Sequence, residues 1–309
     1  MQRISLRERL AAEAPLLLDS AMGTELERRG ARSQLPLWSA WALVESPTLV
    51  LAIHRDDVEA GADILTSNTF RTHRRTLQKA GKARRSEELT RQAVSLARRA
   101  AGESPRPILV AGSLSPLEDC YRPDLVPEDG ALWQEHGQQA ALLASAGADL
   151  ILAETHNTVR ELVAAVRAAK ETGLPVVASV VTDGKGRLLS GEPIEEAARA
   201  LDGWRPDVLS VNCVPARQLL SDLRLLSEAA PAAPLAAYGN LGPPSGPGGT
   251  LFTEEIAPEQ YAALAREWLA IGARIVGGCC GTTAAHTAAM RKMIDALCSP
   301  PQPISIASP

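Results

Sequence analysis

The sequence predicts an α/β protein built as a single (β/α)8 TIM barrel, with its active site at the C-terminal face. Three observations carry this. Short apolar runs alternate with Ala-rich amphipathic segments eight times along 309 residues, a length that α/β barrels reach as one domain. Three helix-to-strand junctions share almost the same wording: Glu59-Ala60-Gly61-Ala62-Asp63-Ile64-Leu65, Ser145-Ala146-Gly147-Ala148-Asp149-Leu150-Ile151 and Ala270-Ile271-Gly272-Ala273-Arg274-Ile275-Val276. In each, the glycine suits the left-handed position just past a helix. Polar side chains also collect at one end of the apolar runs, where a barrel keeps its functional groups. An open doubly wound sheet alternates strand and helix in the same way; eight repeats favour closure.

Taken in order, strands are expected at residues 16–22, 63–70, 108–115, 150–156, 176–183, 208–214, 235–240 and 274–280. Their continuous apolar character suits parallel strands covered on both faces. Helices are expected at 48–60, 86–101, 129–146, 158–172, 194–202, 217–229, 258–271 and 283–297. Pro258 fits a first helical turn, where its missing N–H costs nothing. Two stretches, 25–47 after strand one and 242–257 after strand seven, break the rhythm. The second begins Gly242-Pro243-Pro244-Ser245-Gly246-Pro247-Gly248-Gly249 and is expected to be irregular. Both fall on the C-terminal face, where long loops form lids or walls. The barrel is expected to span 1–298, with the Pro/Ser-rich segment 299–309 as a loose tail.

With 45% hydrophobic and 22% charged residues, the composition is that of a globular protein. A net charge of −4 leaves no basic footprint for nucleic acid. No apolar run approaches the roughly 18 residues of a membrane span, and the Arg/Glu-rich segment 1–14 lacks a signal-peptide core. A cytoplasmic location is therefore expected. The five cysteines, Cys120, Cys213, Cys279, Cys280 and Cys298, are odd in number and irregularly spaced, unlike a secreted disulfide framework. In a reducing compartment such thiols are structural, metal-binding or catalytic.

The strand ends carry Asp19, Ser67-Asn68-Thr69, Ser113, Glu154, Asp183, Asn212-Cys213, Tyr238, Asn240 and Cys279-Cys280. Cys213 ends strand six. Cys279 and Cys280 end strand eight between glycines, whose backbone freedom lets both thiols face one way. Strands six and eight are two apart on one rim, so the three sulfurs can converge. Three protein ligands leave one tetrahedral position open, as in catalytic zinc sites, and thiolates suit zinc. Buried small hydrophobes and a redox-active dipeptide are alternative readings that spacing alone leaves open. A three-thiolate zinc is electron-rich, better suited to holding a substrate thiol as thiolate than to activating water.

The segments Leu18-Asp19-Ser20-Ala21-Met22-Gly23-Thr24-Glu25-Leu26, Gly61-Ala62-Asp63-Ile64-Leu65-Thr66-Ser67-Asn68-Thr69-Phe70, Ala153-Glu154-Thr155, Val211-Asn212-Cys213 and Gly277-Gly278-Cys279-Cys280-Gly281-Thr282-Thr283 together resemble the homocysteine S-methyltransferases. The resemblance implies a barrel with a zinc site made by Cys213, Cys279 and Cys280. It implies that Asp19 and Glu154 hold the homocysteine ammonium, a charge-assisted contact that fixes orientation. Backbone N–H groups at Ala21, Met22 and Gly23 are candidates for the substrate carboxylate. Asp19 as a turn former and Glu154 as an acid paired with a neighbouring Arg are the plainer alternatives. Weaker pocket candidates are Ser67, Asn68, Thr69, Thr155, Asn212, Tyr238 and Asn240; Asn212 either orients the metal loop or satisfies a strand end. Gly239 stands where relatives with a sulfonium donor carry proline.

The reaction so implied moves a methyl group from a small donor to homocysteine, giving methionine, with no catalytic side chain beyond the zinc-bound substrate thiolate. Relatives using methylfolate or betaine carry further modules or a long C-terminal extension, which makes S-methylmethionine the expected donor. Leu37-Trp38-Ser39-Ala40 and Val44-Glu45-Ser46-Pro47 are similar to the S-methylmethionine group. The alternatives are another thiol or selenol acceptor such as selenocysteine, a module served by a separate corrinoid or folate chain, and a non-catalytic zinc staple. His54, His73, His136 and His286 are expected at the surface, His156 has no evident partner, and Cys120 and Cys298 are expected bystanders. The basic run from His73 to Arg85 reads as a solvated face. Nothing in the sequence sets the oligomeric state.

Overall fold

The apolar runs pair side by side in the order in which they occur. The computed structural model describes residues 5–12, 14–245, 251–252 and 256–299. Eight parallel strands, Leu16–Leu17, Ile64–Thr66, Leu109–Leu114, Leu150–His156, Val176–Val180, Val208–Pro215, Leu235–Asn240 and Ala273–Gly278, form the wall. They are barrel strands one to eight below. Strand one pairs with strand eight through Leu16↔Ile275 and Leu17↔Val276. It bridges strand two at Leu18↔Ile64, where the Asp19 N–H donates to the Ile64 carbonyl at 3.0 Å. That bridge closes the cylinder. Strand one is shorter than expected because the chain turns at Ala21 into the helix Met22–Arg28.

Successive strand side chains point to opposite faces. Leu16, Leu18, Ile64, Leu109, Leu152, Val177 and Ile275 pack inside the barrel. Leu17, Leu65, Val110, Ile151, Ala178 and Val276 face outward under the helices. Both faces are therefore dry, and apolar runs without alternation result. The helices are Pro47–Ala60, Ser86–Gly102, Asp129–Ala146, Val159–Glu171, Ile194–Ala200, Ala216–Ala229, Pro258–Ala270 and Ala284–Cys298. Gly61, Gly147 and Gly272, at the repeated junctions, have φ of 103°, 99° and 101°, the left-handed conformation that lets the chain leave a helix for a strand.

Several expectations are corrected. The stretch 25–47 is largely helical: it completes Met22–Arg28 and adds a 3-10 turn at Trp38–Ala40 and the helix Trp41–Glu45. Leu26, Leu37 and Leu43 bury themselves in a satellite core, and Glu25 is buried against Arg28 and Arg29. The loop after strand seven holds a short antiparallel pairing, Pro244–Ser245 with Leu251–Phe252; the rest of its Gly/Pro run, 246–250, lies outside the described residues, as does the tail beyond Ser299. The N-terminal helix Leu6–Ala11, closed by a Ser5/Glu8 capping box, seats Leu6 among the residues that fill the barrel interior.

The histidines are not on the surface. His54, His73, His136, His156 and His286 are all buried. Burial pushes His54 down to about 4. His73 caps the helix Arg74–Lys79, and His286 completes a capping box with Thr283. His136 Nε2 lies 3.1 Å from Glu161 Oε1, which also accepts from the Leu117 N–H at 2.8 Å; His156 packs edge-on to His136. The basic run is likewise not simply solvated, since Arg75 reaches Glu135 and Glu118, and Lys79 pairs with Glu118.

Candidate active site

The C-terminal rim brings together groups far apart in sequence. Cys213, near the end of strand six, has φ 58°. That left-handed conformation is uncommon for a residue with a Cβ and is held by its surroundings. The Asn240 Nδ2 donates to the Cys213 carbonyl at 2.9 Å, and the Tyr121 hydroxyl lies 3.1 Å from Cys213 Sγ. Cys279 and Cys280 follow directly on strand eight. Their approach requires glycine: a Cβ at Gly277 would stand 2.5 Å from Leu18 Cβ, and one at Gly278 would collide with Thr282.

Sulfur atoms of Cys213, Cys279 and Cys280 all lie within 4.8 Å of one another, with Cys279 and Cys280 4.0 Å apart. A disulfide needs about 2.05 Å, so none is formed. Zinc–sulfur bonds of ~2.3 Å in a tetrahedron set sulfurs about 3.8 Å apart. The cluster has the ligand type and spacing for such an ion. Hydrogen bonds from Cys279 and Cys280 draw the Cys213 thiol well below the usual thiol range, while those same contacts push the other two thiols up.

Tyr261 pins this rim. Its buried hydroxyl accepts from the Gly239 N–H at 3.0 Å and shares its proton between the carbonyls of Gly239 (2.7 Å) and Gly277 (3.0 Å). Proline at 239 would remove that donor, and any Cβ there would meet Ala216 Cα at 2.8 Å, which accounts for the glycine at this position. Tyr261→Phe leaves buried backbone groups unpaired. It is expected to lower stability by about 1–3 kcal/mol and zinc affinity on the order of 10-fold. Thermal melts and competitive chelator titrations check both.

A cleft of about 890 Å3, counting its open mouth, lies over the three sulfurs, within the size of small-molecule sites. Asp19, Ala21, Met22, Gly23, Ser67 and Asn68 line it together with Ser113, Glu154, Thr155 and Tyr238. Asp19 accepts from the Thr66 N–H at 2.7 Å and the Thr66 hydroxyl at 2.8 Å. Burial, then the charge of Asp57, pushes its carboxyl well above the usual range. Ser113 donates to Glu154 Oε1 at 2.5 Å and Tyr238 to Oε2 at 3.4 Å. Burial nevertheless raises Glu154 to about 7. Neither acid is paired with an arginine among the described residues, unlike Glu25 or Asp63. Two desolvated carboxyls in one cleft suit a cationic ligand group.

Three weaker candidates stand behind the wall rather than on it. Thr69 donates to the Ser113 carbonyl at 2.8 Å. Asn240 serves Cys213, as above. Asn212 holds Thr155: its Oδ1 accepts from the Thr155 N–H at 3.0 Å and from Ser179 at 2.7 Å, and its Nδ2 donates to Thr155 Oγ1 at 2.8 Å. Thr155 needs this clamp because it too is left-handed, at φ 63°, a costly state for a β-branched residue. Of the backbone donors, the Ala21 N–H is engaged by Thr282 Oγ1 at 3.2 Å, while Met22 and Gly23 open a helix, where amides have no intrahelical acceptor.

Sequence reasoning passed over several residues that line the cleft. Cys120, set aside as a bystander, does so, as do Tyr121, Trp38, Phe70 and Arg71. Trp38 packs against Gly23, where a Cβ would overlap its ring, and meets Phe70 edge-on at 6.2 Å. The hint in the sequence was the scarcity of aromatics: ten in the whole chain, four of which, Trp38, Phe70, Tyr121 and Tyr238, line this cleft. Among the described residues no helix is long and apolar enough to cross a membrane.

Comparison with known proteins gives one consistent answer. The homocysteine S-methyltransferase family model matches residues 16–294. The chain is 33% identical over 291 residues to homocysteine S-methyltransferase YbgG of Bacillus subtilis, covering 86% of this chain and 90% of that one. It is 29% identical over 308 residues to the selenocysteine Se-methyltransferase of Brassica oleracea var. italica, covering 90% and 88%. The crystal structure of the homocysteine methyltransferase MmuM from Escherichia coli in its metallated form superposes with a TM-score of 0.81 at 31% identity, over 93% of this chain and 99% of that one.

Proposed function

The chain belongs to the homocysteine S-methyltransferase family, and from that premise we propose that it methylates homocysteine with a sulfonium donor, S-methylmethionine, giving methionine. One observation carries the reading: three thiols gather at the base of a cleft whose wall holds two buried, arginine-free carboxyls. The enzyme is zinc-dependent, with Cys213, Cys279 and Cys280 as the residues that hold the ion. Zinc bound there supplies a fourth position at which a substrate thiol becomes a thiolate near neutral pH.

The protein's own groups do the rest by placement. Asp19 and Glu154 take the homocysteine ammonium, and its positive charge favours their ionised forms. Ser113 and Tyr238 hold the Glu154 carboxylate in place through the contacts above. Asn212, by fixing Thr155, fixes the backbone next to Glu154. The aromatic faces of Trp38, Phe70, Tyr121 and Tyr238 suit a sulfonium cation, which such rings attract. In the transfer, the bond from methyl carbon to homocysteine sulfur forms as the bond to the donor sulfur breaks, and the thiol proton leaves to solvent. Alignment of the two ligands lowers the barrier. A reducing compartment, the cytoplasm, keeps the three thiols available.

The test is a donor panel on zinc-loaded protein with homocysteine: S-methylmethionine, S-adenosylmethionine, betaine and methylfolate, repeated with selenocysteine as acceptor. Methionine formation from S-methylmethionine is expected, with homocysteine preferred. Failure with every donor, in protein holding one zinc per chain, contradicts the reading.

A further inference from the structure

We propose that Arg71 is a carboxylate-binding subsite of the cleft, which pairs with the α-carboxylate of an amino-acid ligand. The inference rests on the methyl-transfer reading for the identity of those ligands. Arg71 lines the cleft yet is only 8% exposed. Its protein contacts are poor: one donation to the Glu118 carbonyl at 3.3 Å and a guanidinium 5.3 Å from the Phe70 ring centre. Its Nε is buried without a hydrogen-bond partner. No carboxylate pairs with it among the described residues; nearby Glu118 is taken by Arg75 and Lys79.

Burying a cation without a counter-ion is costly, and a residue kept in that state awaits a partner from outside. The cleft's charges say which kind. Its lining holds two carboxyls, Asp19 and Glu154, and, among the described residues, one cation, Arg71. That pattern is complementary to a zwitterion: acids for the ammonium, a planar two-donor fork for the carboxylate. Homocysteine and an amino-acid sulfonium both offer that carboxylate, so the chemistry is shared and the test must separate the sources.

The experiment compares wild type, Arg71→Gln and Arg71→Lys, all zinc-loaded. Each is assayed with homocysteine and homocysteinamide, and with the sulfonium donor and its carboxamide. Arg71→Gln is expected to lower kcat/KM on the order of 100-fold with the natural pair, the loss typical when one member of a buried charge pair is removed. Arg71→Lys recovers part of it. The loss disappears with the amide of whichever ligand Arg71 binds, which identifies the source. A loss of equal size with both amides, or no loss at all, overturns the proposal. Calorimetric binding of methionine and methioninamide adds a readout that needs no turnover. If wild type turned over no donor, the methyl-transfer reading would fail, while a weakening of methionine binding not seen for the amide would still establish the subsite. Equal weakening of both overturns it.

Discussion

Cys213→Ser is expected to lose its zinc and on the order of 10³-fold or more in kcat/KM, while keeping its fold. The magnitude follows from the several kcal/mol that a metal ion contributes to charge stabilisation, each ~1.4 kcal/mol being tenfold in rate. The fold should survive because the thiols sit on the rim. The barrel is held by its interior layers and by the apolar packing between strands and helices. Serine nearly preserves the shape of cysteine, so the left-handed backbone at 213 and its contact from Asn240 have no reason to change. Circular dichroism, metal analysis and kinetics on one preparation check this. A variant that unfolds would instead mean that zinc serves only as a staple between strands six and eight.

Glu154→Gln is expected to stabilise the ligand-free protein and to impair the enzyme. The carboxyl rises from an ordinary 4.5 to about 7, first through burial. A raised acid binds its proton more tightly in the folded state, so the folded protein loses stability as pH rises from 4.5 through 7. At about 1.36 kcal/mol per pH unit the cost reaches roughly 3 kcal/mol above pH 7. Glutamine keeps an acceptor for Ser113 and removes the charge. The melting temperature of Glu154→Gln should match wild type near pH 4 and exceed it at pH 8. Its kcat/KM for homocysteine should fall about 10- to 100-fold, the worth of a hydrogen bond to a charged group. Equal melting temperatures across that range would remove the carboxylate as a group held ready for a cation.

What the sequence made legible was what repeats or stands at a strand end. The eight apolar runs, the three left-handed glycine junctions and the cysteines after strands six and eight follow from local pattern plus the rule that a barrel's function sits on its C-terminal rim. Less legible were features decided by distant packing. The left-handed states of Thr155 and Cys213 depend on the Asn212 and Asn240 side chains. Tyr121 reaches Cys213 across 92 positions. The histidines misled because His54, His136 and His286 lie on the buried faces of their helices and His73 is buried as a helix cap, whereas a half-polar side chain on an amphipathic segment reads as surface. The helices in 25–47 and at Arg74–Lys79 are short, six or seven residues at most, so their periodicity is weak. Arg71 stands two residues before the basic run that reads as a solvated face, and its burial without a carboxylate partner shows only in three dimensions.

The central claim is that Cys213, Cys279 and Cys280 together form the metal centre on which the acceptor sulfur docks. X-ray absorption at the zinc edge tests it most directly, on wild type and Cys213→Ser, with and without homocysteine. The account predicts three sulfurs around zinc in the wild type, four after homocysteine is added, and no stoichiometric zinc in the variant. A sulfur count unchanged by homocysteine, or a full zinc complement in Cys213→Ser, would contradict it.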